Sequence, residues 1–191
     1  MNSVHVSTES KQVHGTPFPL IQEIEANHGV SLILDLAANE DNAKCENFIG
    51  ERENSLTVDW AVALEASRIY DDSRRCAWLN PPFRGVDPWM EKCKTESAKG
   101  CRIISLTLAS MGTGWYRDHV EGNALSLILR RRVTFEGQKD AFPKELMITL
   151  WGFGYTGLGF WTPSPAACRA SEPIEIVKPM DDELWPLDES A

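Results

Sequence analysis

The spacing of apolar and polar residues predicts two helices and a set of short buried strands. Phe18–His28 carries apolar residues at helical spacing, with Pro17 and Pro19 suited to a helix start and Gly29 suited to its end. A second helix is predicted over Pro88–Ala98, with Asp87 as its N-cap. Short apolar runs predict strands within Val30–Ala38, Cys76–Leu79, Arg102–Leu108, Ala124–Leu129, Val133–Phe135 and Leu146–Trp151.

Strands that alternate with helices of this length predict an α/β fold with a mostly parallel central sheet flanked by helices. A chain of 191 residues is long enough for one domain with a sizeable core. We expect that domain to span residues 16–165. Residues 1–15 are predicted to be a flexible tail, and residues 166–191, which are acidic and contain proline, a second tail.

Three predicted strands end on polar residues, namely Asp35, Asn80 and Asp59, the last of which closes the short segment Leu56–Asp59. The carboxyl ends of parallel strands meet at one edge of a sheet, where ligands bind. Carboxylates there can accept hydrogen bonds from an amine, a ribose hydroxyl or an adenine amino group. Ala37 and Ala38 are small enough for a ligand to approach the backbone. Either acid alone would also suit a turn or a helix cap.

The segment Asn80-Pro81-Pro82-Phe83 predicts a specific chemistry. The N6 nitrogen of adenine is a poor nucleophile because its lone pair is delocalised into the ring. The Asn80 side-chain oxygen and the Pro81 carbonyl can accept both N6 hydrogens. The prolines order the loop in advance, and Phe83 offers a face on which an extruded base can stack. Transfer of a methyl group from a sulfonium donor to this nitrogen needs neither a metal nor a covalent protein intermediate.

Charge is distributed unevenly and qualifies the prediction of a DNA substrate. Counting lysine and arginine against aspartate and glutamate, residues 1–70 carry −7, residues 71–170 carry +4 and residues 171–191 carry −6. The net charge of −9 disfavours nonspecific DNA binding. The positive segment, however, contains Arg84 and the run Arg130-Arg131-Arg132. These arginines are candidates for contacts with DNA phosphates, although the run would also suit a solvated strand end.

The chain resembles the phage-type DNA N6-adenine methyltransferases, a Dam-like family. The likeness extends from about Thr16 to about Trp151. The matching segments are Thr16-Pro17, Leu34–Asn39, Asn42–Cys45, Leu56–Trp60, Trp78–Phe83, Pro88-Trp89, Thr113, Trp115-Tyr116 and Arg132–Phe135. The resemblance implies a Rossmann-like methyltransferase fold, S-adenosylmethionine as cofactor and adenine in DNA as substrate.

The resemblance also implies roles for individual residues. Thr16, Asp35 and Ala37 would lie around the methionine part of the cofactor, and Asp59 near its adenosine. The full set of expected cofactor-binding residues is Thr16, Pro17, Asp35, Ala37, Asn39, Asp59 and Asn80. The chain departs from the family in having Phe83 where a tyrosine is usual. It also has Ala-Ala-Asn where larger methyltransferases have a glycine-rich turn.

Two other interpretations remain open at the level of the sequence. The same loop would suit another planar amine, such as N4 of cytosine or a glutamine side chain in a protein. Alternatively, the chain would be a catalytically silent acidic phage protein that binds a host DNA-binding protein. The five scattered cysteines lack a CxxC pair and favour reduced thiols in a cytoplasmic protein. No apolar run reaches the roughly 18–20 residues of a membrane span.

Overall fold

A computed structural model describes residues 15–67 and 73–169 as a seven-stranded sheet with helices packed on it. The elements in chain order are α1 (Phe18–His28), β1 (Ser31–Asp35), β2 (Asn47–Phe48), α2 (Trp60–Ala66), β3 (Arg75–Leu79), α3 (Asp87–Ala98), β4 (Ile103–Leu108), a π-helical turn (Tyr116–Val120), β5 (Ala124–Leu129), β6 (Leu146–Trp151) and β7 (Gly157–Trp161). Within the described residues, no helix combines the length and apolar character needed to cross a membrane.

The strands lie in the order β2-β1-β3-β4-β6-β5-β7. Among the described strands β6 alone runs antiparallel to its neighbours, β4 and β5. The remaining pairs are parallel. The predicted α/β class with a mostly parallel sheet is therefore confirmed.

Each face of the sheet carries its own core. Side chains alternate across β3, so Cys76 and Trp78 pack with α1, whereas Ala77 and Leu79 pack with α2 and α3. All four of these β3 residues are fully buried. Burial on both faces explains why this strand is a continuous apolar run in the sequence.

The strand directions bring several loops to one edge of the sheet. Because β1, β3, β4 and β5 are mutually parallel, their carboxyl ends share an edge. We call it the carboxyl edge. The segments that follow these strands there are residues 36–46, 80–86, 109–115 and 130–145. The catalytic loop predicted from the sequence thus lies at the edge where α/β sheets bind ligands.

The prediction that Asp59 ends a strand is wrong. Residues 55–57 form a turn, and Asp59 is the N-cap of α2, where its Oδ1 accepts a hydrogen bond from the backbone N–H of Val62 at 3.1 Å. The helix-capping role that the sequence left open is the one the fold uses.

The predicted strand over Val133–Phe135 is also absent, although Val133 and Phe135 are buried. Backbone hydrogen bonds in this stretch go to three separate segments, so no ladder forms. Phe142 donates to Val133, Thr134 donates to Cys168, and Glu136 donates to Gly15. The apolar pattern of Val133–Phe135 thus indicates that Val133 and Phe135 are buried, but it does not indicate that the segment pairs with a strand.

The predicted tails coincide only in part with the folded unit. Gly15 belongs to the described structure and is buried, and Ala167 and Cys168 also pack against the core. Residues 166–169, predicted to begin the second tail, therefore belong to the folded unit. Residues 1–14 and 170–191, which make up the rest of both predicted tails, lie outside the described residues.

Candidate active site

A pocket at the carboxyl edge gathers most of the residues that the sequence predicts to be catalytic or to bind the cofactor. We call it the Asn80 pocket. Its empty volume, which includes space open to solvent, is about 530 Å³. Its lining residues are Thr16, Asp35, Ala37, Asn42, Lys44, Trp78, Asn80, Pro81, Pro82 and Phe83.

Asn80 is the first residue after β3, and its position depends on that strand. β3 lies between β1 and β4, with Leu79 paired to Ser105, so the strand end is held on both sides. Pro81 and Pro82 cannot donate backbone hydrogen bonds, and the ladder stops there. The Asn80 Nδ2 atom donates a hydrogen bond to Thr16 Oγ1 at 3.2 Å.

Asp35 ends β1 and is 3% exposed. Its Oδ1 accepts from the backbone N–H of Ala37 at 3.2 Å, and its Oδ2 from that of Lys44 at 3.0 Å. Burial raises the pKa of Asp35 to about 6, and these two donors together with the Lys44 charge oppose the rise only in part. A carboxylate with this environment is stabilised further by any cation that enters the pocket.

Lys44 is buried in the same wall, with its side chain 3% exposed. Its Nζ lies 2.6 Å from Glu136 Oε2 and 4.5 Å from the centre of the Phe18 ring. This ion pair connects the loop after β1 to the connection between β5 and β6. The pocket wall is therefore tied to two distant parts of the chain.

Phe83 lines both the Asn80 pocket and a smaller cavity. This cavity, the Phe83 hollow, has an empty volume of about 210 Å³. Its lining residues are Phe83, Val86, Leu108, Ser110 and Trp115. The Phe83 ring also packs against Phe135 and Phe142, with centroids 6.3 and 5.5 Å away. Packing against these two aromatic side chains holds the Phe83 ring in position.

Comparison with known proteins identifies the chain at the level of its family. A model of the family described as DNA N-6-adenine-methyltransferase (Dam) matches residues 3–148, well over half of the sequence. The chain belongs to this family. The sequence-based prediction of an adenine-specific DNA methyltransferase is thereby confirmed.

Two phage proteins are similar to this methyltransferase, and both are named DNA N-6-adenine-methyltransferase. One, from Haemophilus phage HP1 (strain HP1c1), is 25% identical over 128 residues, which cover 67% of each chain. The other, from Escherichia phage T1, is 27% identical over 118 residues, or 62% of this chain and 44% of the relative. Our methyltransferase therefore spans less than half of the T1 protein.

A crystal structure of a predicted O-methyltransferase from Agrobacterium tumefaciens shares 15% identity with this methyltransferase. It covers 77% of this chain and 86% of its own, with a TM-score of 0.40. A similarity at this level is too low to identify a shared fold.

Three predicted cofactor residues of the methyltransferase do not line the Asn80 pocket. Asp59 is half-exposed and lies 2.9 Å from the Lys99 Nζ; hydrogen bonding to Lys99 and to the Val62 N–H lowers its pKa. Pro17 is the N-cap of α1. The Asn39 side chain accepts from the backbone N–H groups of Asp41 and Asn42 in an exposed turn.

The predicted DNA-contacting arginines follow strands that end at the carboxyl edge. Arg84 lies in the loop after β3, and the run Arg130-Arg131-Arg132 is exposed directly after β5. Arg130 stacks on Phe160 at 4.7 Å, and Arg132 lies 3.4 Å from Glu145. All four cations of the methyltransferase thus lie on the edge that carries Asn80.

Three pocket residues were not assigned a role from the sequence, namely Asn42, Lys44 and Trp78. Asn42 and Lys44 belong to a segment that already matched the family, so a signal was present. Trp78 also belongs to a matching segment, but it lies inside β3, and only the structure shows that it lines the pocket.

The described residues of the methyltransferase contain no group of three or more histidine, cysteine or acidic side chains arranged to hold a metal. Its five cysteines are all free thiols. Burial raises the pKa of the Cys76 and Cys93 thiols well above the ordinary value, so both remain protonated at neutral pH.

Proposed function

We propose that the methyltransferase transfers a methyl group from S-adenosylmethionine to the N6 amine of adenine in DNA, within the Asn80 pocket. The observation that carries this proposal is the shared pocket of Asp35 and Asn80, at the ends of the adjacent parallel strands β1 and β3. The Asp35 carboxylate, which can bind a cation, and the Asn80 amide, which can bind an amine, thus face the same space. A cofactor and a target base bound there together would meet both groups.

Asn80 and Pro81 supply the chemistry at the amine. The side-chain oxygen of Asn80 and the carbonyl of Pro81 accept the two N6 hydrogens and draw the nitrogen lone pair out of the ring. Pro81 is buried, and both residues are ordered by β3, so little reorganisation is needed. The cofactor, when bound, supplies the methyl group from a positively charged sulfonium centre.

The residues around Asp35 fit such a cofactor. The buried carboxylate with a raised pKa suits the ammonium group of a methionine moiety, because an added cation lowers that pKa again. Ala37 keeps its side of the pocket open, and Asn42 offers an amide. We assign Asp35 and Ala37 to cofactor binding on this basis. Asp59, Pro17 and Asn39 could act only through parts of the cofactor that extend beyond the pocket.

The Phe83 hollow suits the target base. Adenine has to leave the duplex stack to reach Asn80, and flipped bases are held between aromatic or apolar side chains. Phe83 and Trp115 supply such faces, and the Ser110 hydroxyl supplies a polar contact. Arg84 and the run Arg130-Arg131-Arg132 would hold the flanking DNA backbone, since they lie on the same edge.

Methyl transfer to duplex DNA tests the proposal. Labelled S-adenosylmethionine is supplied with duplexes that contain adenine, and with duplexes in which unsubstituted purine, which lacks the N6 amine, replaces every adenine. Labelling of the first duplex alone is expected. Labelling of both, with the methyl group on cytosine, would indicate N4 transfer, and labelling of neither would indicate a protein acceptor or a catalytically silent protein.

Replacing Asn80 identifies the catalytic loop. We expect Asn80→Ala to lower kcat by two or more orders of magnitude, since one preorganised hydrogen-bonding group contributes on the order of 3 kcal/mol to the transition state. Binding of S-adenosylhomocysteine, measured by calorimetry, should change little. Asn123→Ala is the matched control, because Asn123 is exposed in the turn before β5. A fully active Asn80→Ala variant would refute the mechanism.

A further inference from the structure

We propose that Thr16 is a positioning residue that orients the Asn80 amide, so that its oxygen and not its nitrogen meets the target amine. The inference rests on the proposed function, since it assigns Thr16 a part in the transfer step. Thr16 and Asn80 are 64 residues apart in sequence, and their side chains meet in the Asn80 pocket.

Thr16 is itself held from both sides. Its residue is 1% exposed. On one side, the Gly15 carbonyl accepts from the Glu136 N–H at 2.8 Å; on the other, the Pro17 carbonyl accepts from the Leu20 N–H at 3.0 Å and starts α1. The Thr16 hydroxyl is thus presented by ordered backbone, and its hydrogen bond defines a direction for Asn80.

The direction matters because the two ends of an amide have opposite hydrogen-bonding character. The oxygen accepts, whereas the nitrogen only donates. The terminal torsion of asparagine is broad and roughly two-fold, so the residue alone does not select one end. With Nδ2 donating to Thr16 at 3.2 Å, the acceptor end is set on the other side. A half-turn of the amide would set its NH₂ group against the NH₂ group of adenine.

The alternative role for Thr16 is contact with the cofactor, as the family resemblance implies. The two roles predict different kinetics. A residue that only holds the cofactor changes its affinity when the hydroxyl is removed. A residue that orients Asn80 changes kcat, because the Asn80 acceptor is needed most in the transition state.

The test compares T16V, T16S and T149V with the wild-type protein. Valine matches threonine in shape and lacks the hydroxyl, whereas serine keeps it. Thr149 is the matched control, since it is fully buried and its hydroxyl hydrogen-bonds Ser126 at 3.1 Å in the sheet core. Each variant is measured for kcat, for KM of an adenine-containing duplex, for S-adenosylhomocysteine affinity and for thermal stability.

We expect T16V to lower kcat about threefold to tenfold, the range for one neutral hydrogen bond, and T16S to retain most of the activity. Cofactor affinity should change by less than about twofold in T16V. T149V should lower stability without lowering kcat. The inference is overturned if T16V keeps the wild-type kcat, whether or not its cofactor affinity falls.

A second arm uses N80D. An aspartate carries two acceptor oxygens and needs no selection of one end, so T16V should lower kcat less in the N80D background than in the wild type. An equal reduction in both backgrounds contradicts the orienting role. If N80D turns over too slowly to measure, the T16V and T16S values decide alone. An inactive wild-type protein would refute the proposed function instead, which keeps the two failures distinct.

Discussion

At the scale of single residues, Asp35 has a structural role beside the cofactor-binding role that we propose for it. Its oxygens accept from the backbone N–H groups of Ala37 and Lys44, and thereby shape the loop after β1. Burial nevertheless raises its pKa to about 6. The carboxylate therefore contributes most to the binding of a cation when the pH is above that value.

This property predicts a pH dependence for cofactor binding. Because a bound ammonium group favours the ionised form of Asp35, affinity for S-adenosylhomocysteine should rise with pH up to about 6 and level off above it. The rise below the pKa approaches roughly tenfold per pH unit. Calorimetric titrations between about pH 5 and 8, on either side of that pKa, measure it.

Asp35→Asn is the matched variant for this prediction, since it keeps the shape of the side chain and removes the titration. We expect it to bind weakly and with no rise near the pKa of about 6 that the wild-type carboxyl has. A wild-type affinity that is flat across the range, or a variant with the same pH profile, would place the cation away from Asp35.

At the scale of elements, the loops at the carboxyl edge divide the work. The loop after β1 carries Lys44 next to the Asn80 pocket, and the loop after β3 carries the proposed catalytic tetrad and Arg84. The segment after β5 carries the arginine run. The loops after β3 and β5 thus bring four arginines to the edge that carries the pocket, and screening limits the effect of opposing charges elsewhere to a range of about 10 Å.

Neutralising these arginines should change how DNA affinity depends on salt. Arg84, Arg130, Arg131 and Arg132 are each replaced by alanine. Every replaced arginine that binds a phosphate in the wild-type complex should make the log–log slope shallower by about one unit, because fewer counterions are released from the DNA. Fluorescence anisotropy at several salt concentrations measures the slope.

Arg102→Ala serves as the control for that series. Arg102 precedes β4, at the opposite end of the strand, and its guanidinium donates to the Ser73 carbonyl at 2.9 Å. Its slope should equal that of the wild-type protein. Should the carboxyl-edge variants also keep the wild-type slope, the duplex binds on another face.

At the scale of the whole molecule, the Lys44–Glu136 pair connects parts of the chain that are 92 residues apart. It links the loop after β1 to the connection between β5 and β6, next to the arginine run. Glu136 also donates its backbone N–H to Gly15, just before Thr16. Glu136 therefore ties the loop after β1 and the segment before α1 to the connection between β5 and β6.

Removing the charge of Glu136 should lower stability, since Lys44 would remain buried without its partner. We expect Glu136→Gln to lower the free energy of unfolding by about 1–3 kcal/mol, less than for a fully buried pair because Glu136 is 32% exposed. Glu145→Gln is the control, since the Arg132–Glu145 pair is exposed and should contribute less than about 1 kcal/mol. Urea unfolding compares both; equal effects would contradict the prediction.

The sequence by itself determined the local features of this protein. The apolar runs identified β3 to β6, the prolines and Gly29 marked α1, and the Asn-Pro-Pro-Phe segment marked the loop that we propose as the reactive one. These features depend on neighbours in the chain, such as backbone restrictions, burial on both faces and the hydrogen-bonding capacity of each side chain. Features that depend on residues close together in the chain can be predicted from a single sequence.

The tertiary structure decided what depends on distant partners. It inserted β6 antiparallel between β4 and β5, made Asp59 a helix cap and left Val133–Phe135 outside the sheet. It also set Thr16 against Asn80 and Lys44 against Glu136, across 64 and 92 residues. Such pairings follow from how the elements pack around the sheet. The spacing of residue types along the chain does not predict which distant side chains this packing brings together.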